Sequence, residues 1–258
     1  MARWTVFPYD AADYRHDAAA LKTRWARLHQ GDAEPFPEEA AVQAAWALFH
    51  AGRFQDACEA GLAAGDAGIV VANKAQSTHA NYLETREKAR LTMFREVAER
   101  AEAQARARPG LASAHYWRAY ALGRYSQGIS VAKALEQGLG EQVRTALETA
   151  LALAPRHADA HVALGAFHAE AIDQLGRQAA KTKGADAATG LQLLQAALAL
   201  NPGSAVARVE YANALVMLEG DRRMKEAEQL YAEAAACRPA DAAERLDVEM
   251  AKAALAHG

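Results

Sequence analysis

The chain of 258 residues is 52% hydrophobic and 24% charged, with a formal net charge of −3 and a pI near 6.3. That balance excludes a disordered polymer and supplies no basic field for nucleic acid or an anionic membrane surface. Alanine fills about a quarter of positions, only seven prolines occur, and apart from the short cluster 69–71 no β-branched run appears, so the composition predicts an all-α chain without a sheet.

The opening residues MARWTVFPYDAADYR show neither an apolar leader core nor a small-residue cleavage site, and no apolar run reaches the length of a membrane span. A cytoplasmic protein without a membrane span is expected. In residues 10–30, Leu21, Trp25 and Leu28 share one stripe, which predicts a cap helix within a segment 1–34. Residues 35–108 then carry AWALFHAGRFQDACEAGLAAG, where Ala45, Gly52, Phe54, Ala57 and Ala64 have the spacing of a helix, a glycine turn and a second helix. Farther along, Leu83, Glu84, Glu87, Arg90, Leu91, Phe94 and Val97 trace one long amphipathic helix. Cys58 and Cys237 each sit in an alanine-rich stretch, where a thiol behaves as a small buried hydrophobe, and their use predicts a reducing compartment.

Residues 109–239 contain an internal repeat, visible when Pro109, Pro155, Pro202 and Pro239 are aligned. Alanine stands three residues after each proline (Ala112, Ala158, Ala205, Ala242), and His115, His161, Arg208 and Arg245 stand six after. Proline lacks an N–H and disfavours helix in its predecessor, so each junction ends one helix and opens the next. Before the prolines, Ala150, Ala197 and Ala234 alternate with Leu147, Leu194 and Tyr231 in the small-and-large pattern of a packed second helix. The prolines are 46, 47 and 37 residues apart, longer than the roughly 34-residue tetratricopeptide period. The excess falls at 124–140 and 174–189, where extended hairpin tips or short extra helices are expected. Residues 240–258 read as a C-terminal capping helix. The fold class is therefore an all-α, tetratricopeptide-like α-solenoid of antiparallel helix pairs with inserted loops or short helices.

Within WRAYALGRYSQGISVAKALEQGLGEQVRTALETALALAPRHADAHVALGAFHAEAIDQLG, the PRHADAHVALG junction, the GIS-x-AKALEQG insertion and the long insertion after the following first helix depart from a generic repeat. In these features the chain resembles the tetratricopeptide-like module of the regulator of microtubule dynamics family, which has bacterial relatives, over about residues 85–255. The resemblance implies a helical binding scaffold, with microtubule or lipid binding among eukaryotic members. The eukaryotic amino-terminal anchor and coiled coil are not expected in this chain. A weaker likeness is to the helical periplasmic component of some transporters.

The densest polar cluster is His157, Asp159, His161, His168, Glu170 and Asp173. The three histidines could offer imidazoles to a metal, but His115 and Arg208 occupy the repeat position of His161, and arginine there points to hydrogen bonding at the helix junction. No metal or cofactor is expected. Glu170 and Asp173 share a helix face, as a solvated acidic pair or an acid and base. No phosphate loop or nucleophile elbow occurs, so no enzymatic activity is expected.

First helices of such repeats line a groove at positions two, five, nine, twelve and thirteen. That register selects Ser113, Tyr116, Tyr120 and Arg124; Asp159, Val162, Ala166 and Glu170; and Val206, Val209, Asn213 and Met217. Asn213 matches an asparagine that grips peptide carboxylates in the generic repeat, but Val209 replaces the lysine expected four residues earlier. The expected function is a non-catalytic scaffold binding a protein or peptide partner in the groove. The alternative is a small-molecule or lipid carrier with an enclosed apolar chamber. The basic insertion QLGRQAAKTKGADAAT, with Arg177, Lys181 and Lys183, is expected to fold over the groove as a lid.

Overall fold

In the computed structural model, residues 3–257 are described, and they contain helices but no strand. The chain divides into two compact units. One comprises Met1–His29, Glu34–Pro155 and Asp241–Ala243; the other comprises Gln30–Ala33, Arg156–Ala240 and Glu244–Gly258.

The first unit holds α1 (Ala18–Leu28), α2 (Ala40–His50), α3 (Phe54–Ala63), α4 (Ile69–Tyr82), α5 (Glu87–Ala107), α6 (Ala112–Gln127), α7 (Val131–Glu136) and α8 (Leu139–Leu153). Successive helices pack as pairs, α2 on α3, α4 on α5 and α6 on α8, with α4 against α3 and α6 against α5 continuing the stack. Gly52 makes the α2–α3 turn at φ 76°, a left-handed conformation that costs a glycine little. Ala45, Phe54 and Ala57 close the pair as buried residues, so the degenerate repeat read from their spacing is a helix pair. Leu21, Trp25 and Leu28 bury one face of α1.

The long helix expected through Leu83 to Val97 is interrupted. Leu83 and Glu84 lie in the connection between α4 and α5, where their N–H groups donate to the carbonyl of His79. The Glu84 carboxylate accepts from the Arg86 N–H and its guanidinium, both at 2.8 Å, and so satisfies a backbone donor at the start of α5. Hydrophobic periodicity cannot register that break, because it is made by a carboxylate turning back on the chain rather than by glycine or proline.

The second unit holds α9 (Ala158–Leu175), α10 (Arg177–Thr182), α11 (Ala187–Leu200), α12 (Ala205–Glu219), α13 (Met224–Ala235) and most of α14 (Ala242–His257). Here α9 pairs with α11 and α12 with α13, and α12 also packs on α9 and α11. Leu194, Ala197, Ala212 and Leu215 are fully buried at the centre. Close approach of α9 to α11 depends on Gly165, where an added Cβ would meet Leu194 Cγ at 2.6 Å and the Gly190 carbonyl at 2.9 Å. Methylene-sized intrusions of this kind typically cost about 1–3 kcal/mol.

The proline register sets the helix starts residue by residue. Ala112, Ala158, Ala205 and Ala242 are the first residues of α6, α9, α12 and α14. His157 and Ser204 cap two of these helices, accepting from the N–H of Ala160 at 3.2 Å and of Ala207 at 3.1 Å. Both insertions contain short helices, α7 and α10, as expected for the excess length.

Candidate functional site

The sequence-selected positions sort by register. The fifth position is buried in all three repeats: Tyr116, Val162 and Val209 are 5%, 7% and 5% exposed. These three side chains pack rather than present themselves. Val162 belongs to the core of the second unit, and Val209 lies with Ala234, Val248 and Ala251 beneath α13 and α14. A residue at this point of the helix turn looks toward the neighbouring helix of the stack, which is why a groove reading of it fails.

The ninth and thirteenth positions retain solvent contact. On α6, Tyr120 is half-buried against Phe94 of α5, with ring centroids 6.5 Å apart. Trp117 and Tyr116 stand 5.4 and 6.1 Å from it, and the Arg124 guanidinium lies 5.4 Å from its ring centre. A guanidinium at this distance from a tyrosine ring is attracted to its face, and Arg124 also donates to Gln127 Oε1 at 3.2 Å. On α9 Glu170 is half-buried, and on α12 Asn213 accepts from the Tyr231 hydroxyl at 2.6 Å. Burial pushes the Tyr231 phenol up, so it stays protonated and keeps donating. Met217 is 38% exposed.

The three histidines do not converge. His157 uses Nδ1 as the cap of α9, His161 donates from Nδ1 to the His157 carbonyl at 3.0 Å, and His168 Nδ1 accepts from the Asp186 N–H at 3.2 Å. The repeat mates of His161 also donate to main-chain carbonyls near the helix start, His115 from Nε2 to Pro109 at 2.8 Å and Arg208 to Ser204 at 3.0 Å. Among the described residues no group of three His, Cys, Asp or Glu side chains is placed to hold a metal.

The insertion after α9 is built into the second unit. Ala180 and Ala185 are 0% and 2% exposed and belong to its core, and Arg177 donates to the Leu218 carbonyl at 2.8 Å. A segment so anchored does not have the loose attachment expected of a lid.

A polar network on α4 and α5 escaped the sequence reading. Arg100 donates to Asn73 Oδ1 at 2.6 Å and Gln76 Oε1 at 2.7 Å, while Gln76 donates to Glu96 at 2.6 Å. Cys58 adjoins it, 3.8 Å from Gln76 Oε1, and burial pushes its thiol up to about 11 despite the nearby Arg100 charge. A thiol so raised is protonated at neutral pH and is a poor nucleophile. The available signal was α4 itself, whose Asn73, Gln76, Ser77, Thr78 and His79 have no polar face to spare yet are all buried.

A cleft of about 450 Å³ lies among α5, α6, α7 and α8. Arg95, Glu99, Glu102, Arg118 and Lys133 line it together with Leu122, Tyr125 and Leu139, so charged and apolar side chains share its wall.

No protein-family model matches the chain, and no curated protein matches it either. Among solved structures it is similar to a thermophilic TPR protein of Thermus thermophilus, with a TM-score of 0.59 at 18% identity over 84% of this chain and 100% of that one. The likeness shows a tetratricopeptide-type fold. No helix among the described residues is long and apolar enough to cross a membrane.

Proposed function

We propose that this helical repeat chain is a non-catalytic scaffold that binds a protein or peptide partner through the first-helix positions left open to solvent. The observation that carries the reading is the Tyr120–Arg124 pair on α6, an aromatic ring with a guanidinium over it 5.4 Å from its centre. Tyrosine and arginine are the residues most often responsible for binding energy at protein interfaces, because a large rigid contact and a forked donor lose little conformational entropy on binding. Glu170, Asn213 and Met217 supply equivalent positions on α9 and α12. The resemblance to the regulator of microtubule dynamics family over about residues 85–255 fits a binding role and leaves the partner's identity open.

Affinity capture from the source cell tests the reading, with wild type compared against Tyr120→Ala, Arg124→Ala and Met217→Ala. Partner recovery should fall at least about tenfold for Tyr120→Ala or Arg124→Ala, the loss typical of an interface hot spot. Unchanged recovery across all three, with helicity retained, rejects these positions as the binding surface.

A further inference from the structure

A different surface of the first unit already holds a peptide segment, which is the chain's own. Trp4–Phe7 runs without regular secondary structure across the α2–α3 turn and the end of α4. Two consecutive main-chain donors are taken by side chains: Trp4 N–H donates to Gln55 Oε1 at 2.8 Å, and Thr5 N–H donates to His79 Nε2 at 3.1 Å. The Trp4 ring lies 4.6 Å from the His79 ring, and Phe7 meets Phe54 edge-on at 6.3 Å. Gly52 makes room for Phe7, since a Cβ there would come within 2.8 Å of the phenyl ring.

The two sides of this contact differ in kind. The receiving side belongs to helices, Phe54 and Gln55 to α3 and His79 to α4, and beneath the segment His79 is 0% and Phe54 3% exposed. The bound side is shallow: only Trp4 and Phe7 are half-buried, while Thr5 and Pro8 are exposed and Val6 is 68% exposed. Main-chain donors gripped by side-chain acceptors hold any peptide of suitable shape, and two ring sites three residues apart select its sequence.

We propose that Gly52, Phe54, Gln55 and His79 form a docking track for a non-helical segment of another protein that carries two aromatic side chains three residues apart, with the chain's own Trp4–Phe7 as the resident competitor. The track is independent of the Tyr120–Arg124 surface. A tethered segment competes at an effective concentration of about millimolar, so a partner gains entry only when it binds more tightly or when the resident segment is released.

The test uses the full chain and a fluorescent peptide of sequence RWTVFPYD, read by anisotropy. The double variant Trp4→Ala/Phe7→Ala, with its own segment weakened, should bind this peptide at least about tenfold more tightly than wild type. Adding Gln55→Ala, which removes the acceptor for the first main-chain donor, should weaken that binding, and replacing both aromatic residues of the peptide by alanine should remove it. If the double variant keeps wild-type helicity and binds no peptide, the proposal is overturned. If it loses helicity, hydrogen exchange on wild type decides. A Thr5 amide exchanging at least about a hundredfold faster than the α4 amides supports a releasable segment, and equal protection overturns it. A wild-type dimer that the peptide dissociates would show the segment exchanging between two copies, which overturns docking of a foreign partner.

Discussion

His161 donates from Nδ1 to the main-chain carbonyl of His157 at 3.0 Å, one turn back on α9. Arg208 makes the same bond to Ser204 at the start of α12. The position therefore requires a donor for a helix-start carbonyl rather than an imidazole. His161→Arg should leave urea stability unchanged, and His161→Ala should cost about 1 kcal/mol, the usual worth of one such bond. Zinc should not raise the melting temperature of the wild type. A zinc-dependent rise abolished by His161→Arg would show that the ring is a ligand.

Burial lowers the affinity of His79 for a proton, with Arg86 acting in the same direction and Glu84 opposing. Burial also lowers that of His16, where Arg24 and His50 add to the effect and Asp241 and Asp17 oppose it. Below the ordinary histidine value of 6.5 the unfolded chain takes up these protons before the folded one does. Their contribution to stability is complete above that value and declines as pH falls through it. A melting temperature constant from about pH 8 to 7 and lower at about pH 5 is expected. His79→Gln, which keeps an acceptor for Thr5 but cannot be protonated, should make the decline shallower. An unchanged slope would assign the pH dependence to other groups.

The α10 insertion is expected to act on stability. Replacing residues 178–186 by a Gly/Ser linker removes Ala180 and Ala185 from the core of the second unit and should lower helicity and melting temperature together. Ala180→Glu, which places a carboxylate where there is 0% exposure, should destabilise by about 3 kcal/mol or more. A linker variant with wild-type melting temperature would restore the lid reading.

The two thiols should differ in reactivity. Cys58 is buried and its thiol is pushed up to about 11, whereas Cys237 is partly open to solvent. Iodoacetamide at about pH 8, followed by peptide mass mapping, should modify Cys237 and leave Cys58 protected until denaturant is added. Equal labelling of both in the native protein would show that the region around Arg100 opens readily.

The sequence alone determined where the repeat helices begin. Proline acts on its immediate neighbours, by a missing N–H and a steric clash, and a small residue three positions later is free to start a helix, so Ala112, Ala158, Ala205 and Ala242 could be named without knowing any contact. The buried small residues Ala150, Ala197 and Ala234 followed from the same register. Tertiary structure decided what each exposed-looking position does. Whether Tyr116, Val162 and Val209 face solvent or a neighbouring helix depends on a register shift of one residue, about 100° of helix turn, which periodicity does not fix. The Arg100–Asn73–Gln76 network joins residues 24 and 27 apart, Asn213 and Tyr231 are 18 apart, and Thr5 meets His79 across 74 positions. Local sequence does not name the partners of those bonds, because a buried hydrogen bond is set by where the backbone brings two side chains and not by the local propensity of either.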